Sequence, residues 1–379
     1  MRRALVAFAI LAAPALPEEE APNLARIVPP AGRVSVKDAV EAGVRFLVDN
    51  QNPDGSFGKY ASENPYQLWC HVPGGHHAFQ AATTALCWMG LDDAPYQPEE
   101  SRRAQRRCLE WLVKHARVKR PFAQQFYNVW SFGYGLRALG QARRREAPGA
   151  TPAEIKDTMD AIVKALEVYQ SPDGGWGYLD FNVPAYKPSW STSFTTATVV
   201  CGLKEAQDAG IEVPQAMIDK AVRLLWRYRT PDGNYGYSID WKWRPHGRIN
   251  RPGGSSLRNQ ACNIALHLYD PEMSTERMRV GLQQLVDNHR FAVAGVHRPV
   301  PHESWYAVSG YFYLYGQQYA ALVLERMPEA DRRIFWPHVA RFVLKTRQLD
   351  GSFWDYPTYG YHKFYGTGYA LMALSRLAE

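Results

Sequence analysis

The sequence predicts an all-α fold, a closed ring of six helical hairpins. Three observations carry this reading: a recurring Asp-Gly turn, a fixed spacing between its copies, and an alternation of two kinds of helix around it. Four segments share the turn: Gln51-Asn-Pro-Asp54-Gly55-Ser-Phe57-Gly58, Gln170-Ser-Pro-Asp173-Gly174-Gly-Trp176-Gly177, Thr230-Pro-Asp232-Gly233-Asn-Tyr235-Gly236 and Gln348-Leu-Asp350-Gly351-Ser-Phe353. Their aspartates stand 119, 59 and 118 residues apart, so two gaps are twice the third. A unit of about 59 residues therefore repeats six times, with the turn degenerate in the second and fifth copies near Lys114 and Asn288.

The first helix of each copy is amphipathic. In copy one, Val36, Ala39, Val40, Val44 and Leu47 recur at three- and four-residue intervals, behind Ser35 with Asp38 three positions on as an N-cap signature. Copy three opens on Thr151-Pro152-Ala153-Glu154, an N-cap hydroxyl, a first-turn proline and a capping glutamate. The second helices are richer in small residues and are predicted over 78–91, 129–142, 193–206, 257–269, 308–324 and 365–377. Small side chains let backbones approach, which puts these helices in a crowded inner circle and the first helices outside, an (α/α)6 toroid. The turn has a structural role by default: glycine supplies φ > 0 at the helix end, aspartate caps the turn, and the aromatic packs back on the ring.

Residues 1–15 read as an export signal: Arg2-Arg3, an apolar run from Ala4 to Leu11, and small residues up to Ala15. Residues 16–34 form a linker and 35–379 the single toroid domain. No stretch approaches the roughly 20 apolar residues of a transmembrane helix, so an exported protein without a transmembrane segment, periplasmic or extracellular, is expected. The five cysteines (Cys70, Cys87, Cys108, Cys201, Cys262) show no disulfide framework spacing and read as mostly buried thiols. Net charge is +7, and twelve of the forty-four Lys and Arg fall between Arg102 and Arg145, either a solvated helix face or a field for an anionic polymer. No nucleic-acid partner and no cofactor is expected.

Copy one can be written Gly43-x-x-Phe46-Leu47-x-x-x-Gln51-x-x-x-Gly55-x-Phe57, which resembles the Gln-Trp repeats of squalene and hopene cyclases. Lys220-Ala221 stands at the proper offset in copy four, while Arg229 replaces its glutamine and Gln348 lies one residue nearer its glycine in copy six. The resemblance, to the terpenoid cyclase and protein prenyltransferase toroids, covers nearly the whole mature chain. It implies a central cavity opening where the inner helices begin, but not the family's chemistry. The Asp-x-Asp-Asp acid is missing; Asp92-Asp93 is the only adjacent pair and follows an inner helix. Asp-Asp-x-x-Asp fails because Tyr96 occupies its last place. The zinc ligands of the prenyltransferases are missing too, Gly366 standing where their histidine would be in Tyr365-Gly366-Thr367-Gly368-Tyr369.

A cavity so placed would be lined by His76, His77, Trp130, Trp190, Ser191, Arg258, Asn259, Glu303, Trp305, Tyr306, His362 and Tyr365. Flat aromatic faces suit an isoprenoid, a carbocation or the apolar face of a sugar. Cys70, His71, His76 and His77 have the composition of a metal site without a standard zinc spacing. Glu303 and His302 are the candidate acid or base, a carboxyl desolvated beside Trp305 having its pKa pushed up. Three readings follow: a protein that binds an isoprenoid-like or glycan small molecule without catalysis, an exported polysaccharide lyase or hydrolase, and a terpene cyclase with an unrecognised acid.

Overall fold

A computed structural model describes residues 34–60, 72–238, 247–300 and 306–376. Twelve of its helices make the six hairpins. The outer ones are α1 (Val36–Asp49), α3 (Glu99–His115), α5 (Pro152–Tyr169), α7 (Gln215–Tyr228), α9 (Thr275–Asp287) and α11 (Glu329–Leu344). The inner ones are α2 (Pro73–Asp93), α4 (Asn128–Arg144), α6 (Ser193–Asp208), α8 (Pro252–His267), α10 (Tyr313–Leu324) and α12 (His362–Ser375). Each inner helix packs on the next in order, and α12 packs on α2, which closes the ring.

Outer helices bury one stripe. In α7 it runs Met217, Ile218, Ala221, Leu224, Leu225 and Tyr228, the helical period of a one-sided contact. Inner helices are buried all round: every residue of α6 from Ser193 to Leu203 is buried. Such crowding requires backbone contact. A Cβ at Gly202 of α6 would stand 2.6 Å from the Gly133 carbonyl of α4.

The expected caps are present: Ser35 Oγ accepts from the Asp38 N–H, and Thr151 with Glu154 closes a capping box ahead of Pro152. Four inner helices start differently from expectation. Helix α2 begins five residues earlier, at Pro73, and α12 three earlier, at His362. Proline at the first position lets α8 begin at Pro252, five residues earlier, and the turn before α10, Ala307–Phe312, is 3-10 rather than α-helical.

The Asp-Gly turns fasten each hairpin to its neighbours. Gly55, Gly174, Gly233 and Gly351 have φ of 93°, 104°, 85° and 86°. Gln51 Nε2 donates to Gly55 O and also to Ala104 O of α3; Gln170 Nε2 donates to Gly174 O and to Met217 O of α7. The aromatic that follows is fully buried in all four copies, as Phe57, Trp176, Tyr235 and Phe353. Its backbone N–H donates to an inner-helix side chain: Thr84, Thr196, Asn259 or Thr367. The outer helix, the turn and the inner helix of one hairpin are thus joined at one point.

Part of the basic stretch is ion-paired or buried. Arg103 and Arg144 pair with Glu100 and Glu205, Arg145 with Asp92 and Asp93, and Arg137 is buried inside the ring. Arg120 donates to five backbone carbonyls, among them Phe122 and Tyr186, and joins the loops of copies two and three. Cys87, Cys108, Cys201 and Cys262 are free, buried thiols, and Cys70 lies outside the described residues. No described helix is long and apolar enough to cross a membrane.

Candidate functional site

The amino-terminal halves of the inner helices surround a cavity of about 410 Å³ on the ring axis. Its wall is aromatic: Phe79 from α2, Tyr127 and Trp130 at the start of α4, Phe194 from α6, Tyr311 and Phe312 ahead of α10, Tyr365 from α12, and Tyr178 and Tyr237 from the loops. The rings pack on one another, Phe194 standing 4.7 Å from Phe312 and 5.1 Å from Tyr237 between centroids. Among the described lining residues Asp355 is the one carboxyl.

The floor is hydroxylic. Tyr134, Tyr315 and Tyr369, on α4, α10 and α12, form it. Tyr369 donates to the Tyr134 hydroxyl, and Tyr315 donates to Phe194 O at 3.1 Å, with Thr198 Oγ1 also at 3.1 Å. Burial pushes all three phenols well above their usual range, so they stay protonated donors. One turn below Tyr134, the Arg137 guanidinium reaches across the axis to Gln318 Oε1 and the Tyr319 hydroxyl of α10, both at 3.4 Å.

Asp355 Oδ2 accepts the Leu314 N–H in the first turn of α10 and Oδ1 accepts the Tyr356 N–H, both at 2.8 Å. Burial pushes this carboxyl up to about 6, against the pull of those two bonds. Arg258 of α8 is fully buried behind the wall. It donates from Nη1 to Gly254 O and from Nη2 to Ile249 O, and its guanidinium lies 5.1 to 5.9 Å from the ring centroids of Tyr237, Phe312 and Phe194.

Of the expected lining, Trp130 and Tyr365 face the cavity. His76 and His77 diverge, because adjacent helical residues point about 100° apart. His76 packs with Tyr60 and Tyr359 beside the cavity, and His77 turns outward to Trp111 and His115 of α3, so the two do not share a metal site. Ser191 serves the third turn, donating to Asp173 Oδ2, and Asn259 the fourth, accepting from Tyr235 N. Trp190 is half-buried against Gly177, Tyr306 packs on Phe291, and His362 hydrogen-bonds Tyr359 O beside Trp354; none is in the wall. Cys70, His71, His302, Glu303 and Trp305 lie outside the described residues.

A larger concavity, about 900 Å³, lies at the opposite end of the ring. Its carboxylates are engaged: Asp92 and Asp93 with Arg145, and Asp93 and Glu325 with Arg376, at 2.5 to 3.3 Å. Gln141 donates to both aspartates. The adjacent aspartates are therefore part of an ion-pair network closing that end, and the aromatic cavity is the candidate site.

These features define an α/α toroid with an axial cavity. No protein-family model and no curated protein matches the chain. Solved structures share its fold at low identity. The apo type II terpene cyclase MstE from Scytonema is 12% identical, with 90% of this chain and 98% of that one covered and a TM-score of 0.53. An unsaturated glucuronyl hydrolase specific for heparin is 13% identical, covering 90% and 96%, with a TM-score of 0.57. A protein from Actinoplanes is 16% identical, covering 91% and 100%, with a TM-score of 0.53. A variant of MstE has also been solved with geranylgeranyl dihydroxybenzoate as substrate (14% identity, 90% and 96% covered, TM-score 0.51).

Proposed function

We propose that the protein is a small-molecule binder whose axial cavity holds an apolar, isoprenoid-sized ligand, and that residues 1–15 export it. The aromatic wall carries this reading. Its rings come from all six hairpins and enclose about 410 Å³, and apolar surface withdrawn there from water is stabilised by about 25 cal/mol per Å². A prenyl chain, such as the one MstE takes, suits such a wall.

Two features favour binding over catalysis. Arg258 already places a positive charge against the Phe194, Tyr237 and Phe312 rings, so a carbocation inside would meet like charge. Asp355 has an oxygen on each of two backbone N–H groups, which orients it as a cap for α10. Glycoside hydrolysis uses a pair of carboxyls, and the described lining contributes one.

The test is calorimetric titration of the purified protein with farnesol and, separately, with an acidic oligosaccharide. One farnesol should bind per chain, and Ala82→Trp, which fills the cavity from α2, should weaken it at least about tenfold. Oligosaccharide binding without farnesol binding would refute the reading. For export, amino-terminal sequencing of the secreted protein should begin beyond Ala15; an intact Met1 in that fraction would refute it.

A further inference from the structure

We propose that the ligand is an anionic amphiphile whose acid head group, a carboxylate, seats on the tyrosine hydroxyls of the cavity floor above Arg137. This rests on the apolar-ligand reading above and adds the charge and position of the head.

Two buried guanidinium groups adjoin the cavity, and neither has an ion-pair partner among the described residues. Arg137 is 6% exposed and makes two long hydrogen bonds, to a neutral amide and a neutral phenol. Glu205, which adds to its field, is ion-paired with Arg144 at 2.5 Å. Arg258 is fully buried on two backbone carbonyls, and its Nε has no partner. A buried charge is costly unless an opposite charge or strong hydrogen bonds accompany it. Arg137 has neither, and the Gln318 side-chain amide that meets it leaves its own Nε2 unpartnered.

The floor supplies the contacts that such a charge would use. Tyr134, Tyr315 and Tyr369 converge from three inner helices and stay protonated. Tyr369 and Tyr315 donate to Tyr134 and Phe194 O, which leaves the Tyr134 hydrogen to meet a ligand, the other two hydroxyls turning to it only by giving up those bonds. An acid reaching them would accept phenolic hydrogen bonds, with Arg137 one helical turn below. Asp355 is the opposing charge in the described wall; its two oxygens are held on the Leu314 and Tyr356 N–H groups, away from the floor hydroxyls. An apolar tail would then extend along Trp130, Phe79 and Phe312 toward the opening.

Farnesol, farnesoic acid and farnesylamine share one tail and differ in head charge, which separates the two proposals. Calorimetry at pH 7 should give farnesoate at least about tenfold tighter than farnesol, and farnesylamine weaker than both, for a buried charge pair in an effective dielectric of about 20. Arg137→Met should bring farnesoate to the affinity of farnesol and leave farnesol unchanged. Equal binding of acid and alcohol, or a preference that survives Arg137→Met, would overturn the head-group assignment and leave the apolar reading standing. Failure of all three to bind would overturn both.

A second measurement uses the unmodified protein, in case Arg137→Met does not fold. The carboxyl of 13C-labelled farnesoate, titrated by NMR in the complex, should have a pKa below that of the free acid. An apolar cavity with no cation would raise it, and that result would also overturn the assignment.

Discussion

Asp355 makes the stability of this toroid depend on pH in a direction opposite to that of most carboxylates. Its carboxyl is 1% exposed and titrates near 6, against about 3.9 in an unfolded chain. Between those values the folded state keeps a proton that the unfolded state has released. Its contribution is therefore complete below about pH 4 and falls as pH rises to about 6, by on the order of 3 kcal/mol. His289 opposes it. Burial, with Lys345 and Arg341 nearby, lowers this imidazole to about 4 where it stacks on Phe342, so in the same window the unfolded state binds the extra proton and stability rises with pH. The carboxyls of Asp54, Asp232 and Asp350, lowered because hydrogen bonds from Ser56, Thr230 and Lys363 outweigh their burial, act below this window. His77 and His297, lowered by burial, act in the sense of His289, and Asp92, raised by burial, in the sense of Asp355, so urea denaturation from pH 4 to 7 is read as the difference between variant and wild type. Asp355→Asn should make the profile rise more steeply than wild type, at a constant cost of about 1–3 kcal/mol because one amide oxygen cannot serve both backbone N–H groups. His289→Phe should shift it the other way. A profile for Asp355→Asn parallel to wild type would refute the assignment of the charge change to Asp355.

Three further perturbations probe the ring itself. Gly202→Ala puts a methyl against the Gly133 backbone, where no side chain can yield, and should cost about 1–3 kcal/mol in urea denaturation. Thr196→Val keeps the shape but leaves the buried Trp176 N–H without its acceptor, and should cost about 1–3 kcal/mol by the same assay. Trp176→Ala removes a fully buried indole whose Nε1 also donates to Leu166 O at 2.8 Å, and should cost about 3–5 kcal/mol, read as a lower urea midpoint.

The fold was legible because its rules are local and repeated. An Asp-Gly turn needs φ > 0 and a capping carboxyl wherever it occurs, so four copies and their spacing suffice to count six hairpins. Helix kinds were legible for a similar reason: one-sided burial writes a period into α7, and burial on all sides erases it in α6. The positions that replace the turn in copies two and five carry no such rule. The start of α10 likewise escaped, since a 3-10 turn and an α turn use the same residues.

The cavity was only half legible because its helices were read at their first residues, whereas a ring of tilted, closely packed helices narrows further in. Wall residues lie one turn deeper, at four-residue steps: Trp130 then Tyr134, Tyr311 then Tyr315, Tyr365 then Tyr369. The first residues are instead occupied with the turns, as Ser191 is with Asp173 and Asn259 with Tyr235. The loops carry a second signal. Three of the four buried turn aromatics are followed two residues later by a group that faces the axis: Tyr178 after Trp176, Tyr237 after Tyr235, and Asp355 after Phe353, while Lys59 after Phe57 is exposed. In those three copies the turn that buries one ring against the inner helix directs the residue two places on toward the cavity, since extended backbone returns to the same side every second residue. The repeat that builds the scaffold thereby also aims the wall, and Asp355 is the copy-six residue at a place where copies three and four present tyrosine. Its charge, rather than its position, is what distinguishes it, and that is why a single substitution there changes the pH profile while leaving the ring's architecture in place.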